Sequence, residues 1–277
     1  MSRARIDARF ARLRQEGRAG FIPYVMAGDP DPETALAILK GLPAAGADLI
    51  EVGFPFSDPL AEGPPIQRAA QRALARGMTL QKTLDLVAAF RRSDSETPVI
   101  LMGYANPLET PGYVAFARDA AAAGVDGLIV VDIPPEEADP LADALDAQDM
   151  SLIRLATPTT DDRRLPVVVR RTSGFVYYVS VAGVTGVKEA DAGAVAPNVA
   201  RVRAASGLPV AVGFGVRTEA RAAEVARVAD AVVVGSALVD EVAAALAANE
   251  DVTDRVLTKV AGLAKSVRAA RTSGVGA

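Results

Sequence analysis

Histidine, cysteine and tryptophan are all absent from this chain of 277 residues. Without histidine or cysteine, a zinc site built on either side chain is excluded. So are Ser-His-Asp and Cys-His nucleophilic arrangements, and so is any disulfide. General acid–base work therefore falls to Asp, Glu, Tyr or Lys. Lysine is itself scarce: there are five, Lys40, Lys82, Lys188, Lys259 and Lys265. None stands at the end of a predicted core strand, where a Schiff-base lysine is expected. No apolar run approaches the ~18 residues that a membrane helix needs. The opening Met1-Ser2-Arg3-Ala4-Arg5-Ile6 lacks the apolar core of a signal peptide. No block of one charge sign occurs either: 30 basic and 34 acidic residues are interspersed, for a net charge of −4. The expectations are a cytoplasmic protein with no nucleic-acid and no membrane partner.

What the chain has is apolar residues, half of the total, enough for one large core. Short β-branched apolar runs recur at Phe21–Val25, Leu49–Val52, Val99–Met102, Gly127–Val131, Ser151–Leu155, Phe175–Ser180, Pro209–Val212 and Ala231–Val234. Helical patterns lie between them, at 34–42, 67–74 with 80–90, 112–123, 135–147, 161–169, 192–204, 218–228 and 237–248. Strands alternating with helices imply a parallel sheet. Eight such repeats predict an α/β fold closed as a (β/α)8 TIM barrel, with an open doubly wound sheet as the alternative. Residues 2–16 predict an extra N-terminal helix over the bottom of the barrel. Asp31-Pro32 and Thr110-Pro111 predict helix starts, and Gly46, Gly124 and Gly207 predict helix stops. No linker-like shift in composition appears, so 1–277 is expected to be a single barrel domain, with its core at about 17–270 and a frayed tail at 272–277.

The chemistry concentrates after the strands. Glu51 interrupts the second apolar run, and an ionised glutamate is costly to bury without a partner. A desolvated glutamate gains pKa and becomes a usable acid near neutral pH; the bland alternative is a buried salt bridge. A long loop, Gly53 to Pro64, follows at once. Its Glu62 is, by position alone, a solvated loop charge. Ser57 and Asp58 are expected to anchor the loop locally. Asp132 closes the fourth run and is equally suited to bonding a substrate, orienting a loop or capping a helix. Tyr177 and Tyr178 face opposite sides of the sixth strand, so one of them reaches the barrel mouth. Tyr24, Met102, Tyr104 and Phe214 sit at or just past strand ends, where they line an apolar pocket or simply pack the core. Gly213-Phe214-Gly215 and Gly235-Ser236, after the seventh and eighth runs, suit a phosphate: glycine lets the backbone amides approach an anion and Ser236 adds a hydroxyl. Gly186, in a second long loop from 181 to 192, is positioned to add a third amide. A loop with Gly183, Thr185 and Gly186 has the flexibility of a lid.

These landmarks carry a resemblance. Pro23-Tyr24-Val25 with Gly28-Asp29-Pro30, the stretch Pro55-Phe56-Ser57-Asp58-Pro59-Leu60-Ala61-Glu62-Gly63-Pro64-Pro65-Ile66-Gln67, Met102 to Asn106, Asp126 to Pro134, Gly174 to Gly186, Gly213-Phe214-Gly215 and Gly235-Ser236 occur in order across residues 2–270. The chain resembles the tryptophan synthase α subunit family, which cleaves indole-3-glycerol phosphate to indole and glyceraldehyde 3-phosphate. The resemblance implies that Glu51 is the principal acid–base glutamate and that Glu62 stands for the second catalytic carboxylate, near the indole N–H. It implies that Tyr177 contacts substrate, that Thr185 is the lid threonine, and that Gly186, Gly215, Gly235 and Ser236 hold the phosphate. It also implies a β-subunit partner in an α2β2 heterotetramer. Pyridoxal phosphate is expected only in that partner, with no cofactor in this chain. The apolar residues Phe54-Pro55-Phe56 and Pro107-Leu108 are the expected contact patch. Two departures stand out: the family usually has Asp where this chain has Glu62, and Val181 stands where some members carry a basic residue. A retro-aldol cleavage with neither a Schiff-base lysine nor a histidine-bound metal leaves the substrate's own indole ring as the electron sink, served by two carboxylates. A free-standing lyase, a different phosphate-binding barrel enzyme and a non-catalytic regulatory subunit remain as alternatives.

Overall fold

A computed structural model describes residues 2–180, 192–213 and 215–271. Eight parallel strands, β1 (Gly20–Met26), β2 (Ile50–Gly53), β3 (Val99–Gly103), β4 (Gly127–Val130), β5 (Ser151–Ala156), β6 (Val176–Val179), β7 (Val210–Gly213) and β8 (Ala231–Val234), close in sequence order, with β8 paired to β1. The closed barrel sets aside the open sheet. Around it run α1 (Ser2–Gln15), α2 (Pro32–Ala45), α3 (Pro64–Ala75), α4 (Leu80–Arg91), α5 (Ala105–Glu109), α6 (Tyr113–Ala123), α7 (Asp139–Asp146), α8 (Leu165–Val169), α9 (Ala192–Ser206), α10 (Glu219–Val228), α11 (Ser236–Ala248) and α12 (Val252–Ala269).

Parallel pairing puts partnered residues on the same side of the sheet, so the register shows which side chains fill the barrel. Tyr24 pairs with Glu51 and Glu51 with Ile100; one pleat higher, Met26, Gly53 and Met102 align. Across the barrel Tyr177 aligns with Leu155 and Ala211. The mouth is thus built from the last two inward positions of each strand. At the other end α1 covers the bottom, as expected, burying Ile6, Phe10 and Leu13.

The bottom face repeats with every second strand. Asp48 accepts the Phe21 amide at 3.0 Å, Asp126 that of Val99 at 2.8 Å, Ser173 that of Leu152 at 3.3 Å and Asp230 that of Val210 at 2.8 Å. In each case an oxygen at the foot of an even strand satisfies an amide at the start of the odd strand before it, a donor that burial would otherwise leave unpaired. Arginines balance the acids: Arg18 and Arg9 at Asp48, Arg5 and Arg91 at Asp126, Arg203 at Asp230.

Several boundaries differ from the sequence pattern. Asp31 does cap α2 through the Thr34 amide, and Gly46 and Gly124 end α2 and α6 in the left-handed conformation. Thr110-Pro111, however, starts no helix: Thr110 closes the short α5, and α6 begins after Gly112. The helix expected over 135–147 is broken into a 3-10 turn at Pro135–Glu137 and α7, because Pro140 lies in the first turn of the latter. Asp161 caps a turn, through the amides of Arg163 and Arg164, and the helix over 161–169 shortens to α8. The sequence reading assigned no element to 252–269. There α12 starts on the Asp251 cap and buries Val256, Val260, Leu263, Ala264 and Val267.

Candidate active site

Glu51 is 2% exposed at the mouth end of β2. Its Oε1 is buried with no hydrogen-bond partner among the described residues. Among the described residues no arginine or lysine pairs with it, so no salt bridge there accounts for its burial. Burial, seconded by the charge of Glu62, pushes the Glu51 carboxyl up to about 8. A glutamate in that state is protonated at neutral pH and can give up a proton to a bound molecule.

Glu62 departs from its expectation as a solvated loop charge: it is 7% exposed. The reason lies in the loop between Gly53 and Pro64, which folds back over the barrel mouth. Glu62's amide reaches the Pro59 carbonyl at 3.1 Å, and the Ala61 amide donates to the Tyr104 hydroxyl at 3.0 Å. The Phe56 ring lies 5.4 Å from the Tyr104 ring, tilted against it. Ser57 does bond Asp58, at 2.5 Å, in the local anchor expected of that pair.

Two tyrosines join the carboxylates. Tyr177 is buried, and desolvation followed by the charges of Glu51 and Glu62 pushes its hydroxyl well above the ordinary tyrosine value. Tyr24 is raised by the same causes, with Glu62 ahead of Glu51. Tyr178 points the other way and feels Arg201 of α9 instead. The strand period thus resolves the Tyr177–Tyr178 pair in favour of Tyr177 at the mouth. Both inward tyrosines depend on glycines: a Cβ on Gly53 would lie 2.1 Å from the Tyr24 hydroxyl, and one on Gly213 would lie 2.1 Å from the Tyr177 hydroxyl. A residue larger than glycine at either strand end would drive the phenol out of the mouth.

The remaining expectations divide. Met102 faces inward one pleat above Ile100 and is 8% exposed. Tyr104 spends its hydroxyl on the loop backbone. Asp132 accepts the Ala105 amide at 2.9 Å, so it holds the start of α5 and caps no helix of its own. Arg154, unremarked in the sequence, is a buried cation on the outer side of β5 whose Nη2 donates to the Ile133 carbonyl at 2.9 Å, next to Asp132. Asp29 is likewise buried and bound in two places by Arg72 of α3, at 2.7 and 2.8 Å. After β8, Gly235 occupies the cap position of α11 without a side-chain cap, and Ser236 opens the helix. The first amides of a helix have no partner within it, so this end offers donors to an anion. Gly215 adopts φ +72 just past β7, in the left-handed region that favours glycine. Val181, Gly183, Thr185, Gly186, Phe214 and the tail at 272–277 lie outside the described residues. Among the described residues, no group of three potential metal ligands comes together.

A buried protonatable glutamate, a second carboxylate and two phenols around one barrel mouth, with an uncapped helix N-terminus beside Tyr24, suit proton transfer on a phosphorylated substrate. Comparison with known proteins agrees. The family model described as "Tryptophan synthase alpha chain" matches residues 10–268. The chain belongs to the tryptophan synthase alpha chain family. The alpha chain of Phenylobacterium zucineum (strain HLK1) is 80% identical over 273 residues, covering 99% of both chains. That of Caulobacter sp. (strain K31) is 72% identical over 271 residues, covering 98% of each. The crystal structure of tryptophan synthase subunit alpha from Legionella pneumophila str. Paris superposes with a TM-score of 0.89 at 40% identity, covering 95% of this chain and 98% of the other. As a member of that family, the protein is a lyase. It carries out the α reaction of tryptophan biosynthesis, the retro-aldol cleavage of indole-3-glycerol phosphate, alongside a β-subunit partner.

Proposed function

We propose that Glu51 and Glu62 carry the cleavage of indole-3-glycerol phosphate as an acid and a counter-charge. The observation behind this division is the environment of Glu51, a carboxyl held protonated by burial and by a second carboxylate. Protonated Glu51 gives its proton to C3 of the indole ring. The ring becomes an indolenine whose cationic N–H faces the Glu62 carboxylate. Glu51, now ionised, takes the proton of the adjacent glycerol hydroxyl. The carbon–carbon bond breaks as that oxygen becomes the aldehyde of glyceraldehyde 3-phosphate. The electron pair returns to the ring and restores indole. Protons balance, and Glu51 finishes as it began. Tyr24, Tyr177 and Met102 line the ring's slot, to which Phe214 is assigned from its place in the sequence alone, with Tyr104 and Asp132 fixing the loops around it. The amides of Gly186, Gly215 and Gly235 and the hydroxyl of Ser236 receive the phosphate, and Thr185 engages Glu62 on lid closure.

The chain works, in this reading, as one barrel domain in the cytoplasm and without a cofactor of its own. Pyridoxal phosphate belongs to the β subunit of an α2β2 assembly, to which indole passes. The contact patch shifts from its expected place. Phe54, Pro55 and Leu108 are buried, whereas Leu60, 87% exposed, and Val114, 76% exposed, are large apolar side chains in the segments after β2 and β3. Those two, with Phe56 and Pro107, form the face offered to the β subunit. The test is release of indole from indole-3-glycerol phosphate by the purified chain, with and without a tryptophan synthase β subunit. Slow release that rises on adding β supports the assignment. Release with no β effect supports a free-standing lyase, and none in either condition overturns the catalytic reading.

A further inference from the structure

The carboxylate that raises the Glu51 pKa sits on a loop, and a glutamate there has three rotatable side-chain bonds. Its distance from Glu51 is therefore set by whatever fixes the backbone beneath it. Two side chains grip that backbone from opposite sides. Tyr104, just beyond β3, accepts the Ala61 N–H on its hydroxyl at 3.0 Å. Gln67, in α3, donates its Nε2 to the Glu62 carbonyl at 2.8 Å. The Tyr104 oxygen also faces the Glu62 amide.

Each grip stands on a fixed base. Tyr104 is 4% exposed and flanked by the Phe56 ring. The α3 helix buries Ile66, Ala69, Ala70 and Ala73 against the barrel. Farther along it, Arg72 locks onto buried Asp29 through both carboxylate oxygens, tying the helix to the end of β1. The Gln67 amide takes no part in that packing, so its bond to Glu62 is separable from the stability of α3.

We propose that Gln67 and Tyr104 are positioning residues that clamp the Ala61–Glu62 peptide and so set the separation of the two carboxylates at the barrel mouth. The catalytic consequence rests on the reading of Glu51 and Glu62 given above; the clamp itself does not. It also bears on the glutamate at position 62. A side chain one methylene longer than aspartate is displaced by roughly 1 Å, a shift able to change a rate on the order of 10²-fold, and the clamp fixes the backbone from which that longer side chain extends.

The test uses Gln67→Met and Tyr104→Phe, each close in size to the original and unable to make its bond, and the double variant. Among the described residues the titratable groups facing Glu51 are Glu62, Tyr24 and Tyr177, all acidic. Release of the loop moves the Glu62 charge away and admits water, and both changes lower the Glu51 titration midpoint. The midpoint is read by carbon-13 NMR of labelled glutamate carboxyls, with Glu51 assigned from Glu51→Gln. Each variant is expected to lower it by roughly half a unit or more. Indole release should lose about tenfold in kcat with KM within about threefold, and Tm should fall by no more than a few degrees. The double variant should lose no more than the worse single one, because both act on one peptide. Unchanged midpoints and kcat, or a loss confined to Tm, overturn the clamp. If the unaltered chain releases no indole while the midpoints move as stated, the clamp stands and the assigned chemistry falls. If it releases indole and the midpoints stay fixed, the reverse holds.

Discussion

At the scale of the residue, Glu51 sets function against stability. Its folded pKa, about 8, lies above the ordinary 4.5 of a glutamate. Below 4.5 both folded and unfolded chains hold the proton. Between 4.5 and 8 the unfolded chain releases it and the folded chain retains it, so the group's contribution to stability falls as pH rises, and the full cost is present above 8. Glu51→Gln keeps the shape without the charge. It should raise Tm relative to the unaltered chain, with a gain that grows from pH 5 to 8 and is absent near pH 4; an equal or lower Tm at pH 8 would contradict the assigned environment. Activity follows the same proton, and the rate of indole release should decline as pH passes about 8. How much of this was legible differs between the two carboxylates. Glu51 announced itself, since an acid within an apolar strand needs a reason. The burial of Glu62 did not, because it depends on the Tyr104 hydroxyl, 43 positions beyond the Ala61 amide that it holds. Nor could spacing tell Asp132 as a helix cap from Asp132 as a loop holder, which shows only in where the Ala105 amide lies.

At the scale of the element, strand ends and strand feet do different work. Gly53 and Gly213 end their strands because a phenol lies across each. Gly53→Ala should displace Tyr24 and cost indole release on the order of 10²-fold while the barrel still folds, checked by rate and by circular dichroism; full activity would show that Tyr24 has no place in the slot. The feet govern stability. Asp126 is fully buried and bonded by the Val99 amide, Arg5 and Arg91, which oppose the upward push of burial on its carboxyl. Asp126→Ala takes the carboxylate away from Arg91, Arg5 and the Val99 amide and should cost about 3 kcal/mol or more in urea unfolding without moving the alkaline limb of indole release. A loss below about 1 kcal/mol would remove the feet from the account. The eight strands were readable because β-branched runs in a parallel barrel are apolar on both sides. The α12 helix was not read, because the alternation of strand and helix was complete before it. Its apolar positions at 256, 260, 263, 264 and 267 carry the helical period that would have marked it.

At the scale of the molecule, the barrel separates its tasks by end. Its bottom is sealed by α1 and by paired charges. Its mouth gathers the acids, the phenols and the first turn of α11, with exposed Leu60 and Val114 beside them. Val114→Asp puts a charge into the face proposed for the β subunit. It should weaken β binding about tenfold or more, measured by titrating β into the chain; unchanged binding would place the partner elsewhere. The family and its reaction were legible because its landmark residues occur in order from Pro23 to Ser236. The exposure of the apolar residues near the mouth was not, since the chain alone cannot tell buried Phe54 and Leu108 from exposed Leu60. The central claim is that Glu51 does the proton transfer and leaves the phosphate to other groups. It is tested most directly by Glu51→Gln, with indole release measured beside the binding of glyceraldehyde 3-phosphate. The account predicts loss of cleavage by a factor on the order of 10² or more, with binding within about threefold of the unaltered chain. Retained cleavage, or binding lost in step with the rate, would contradict it.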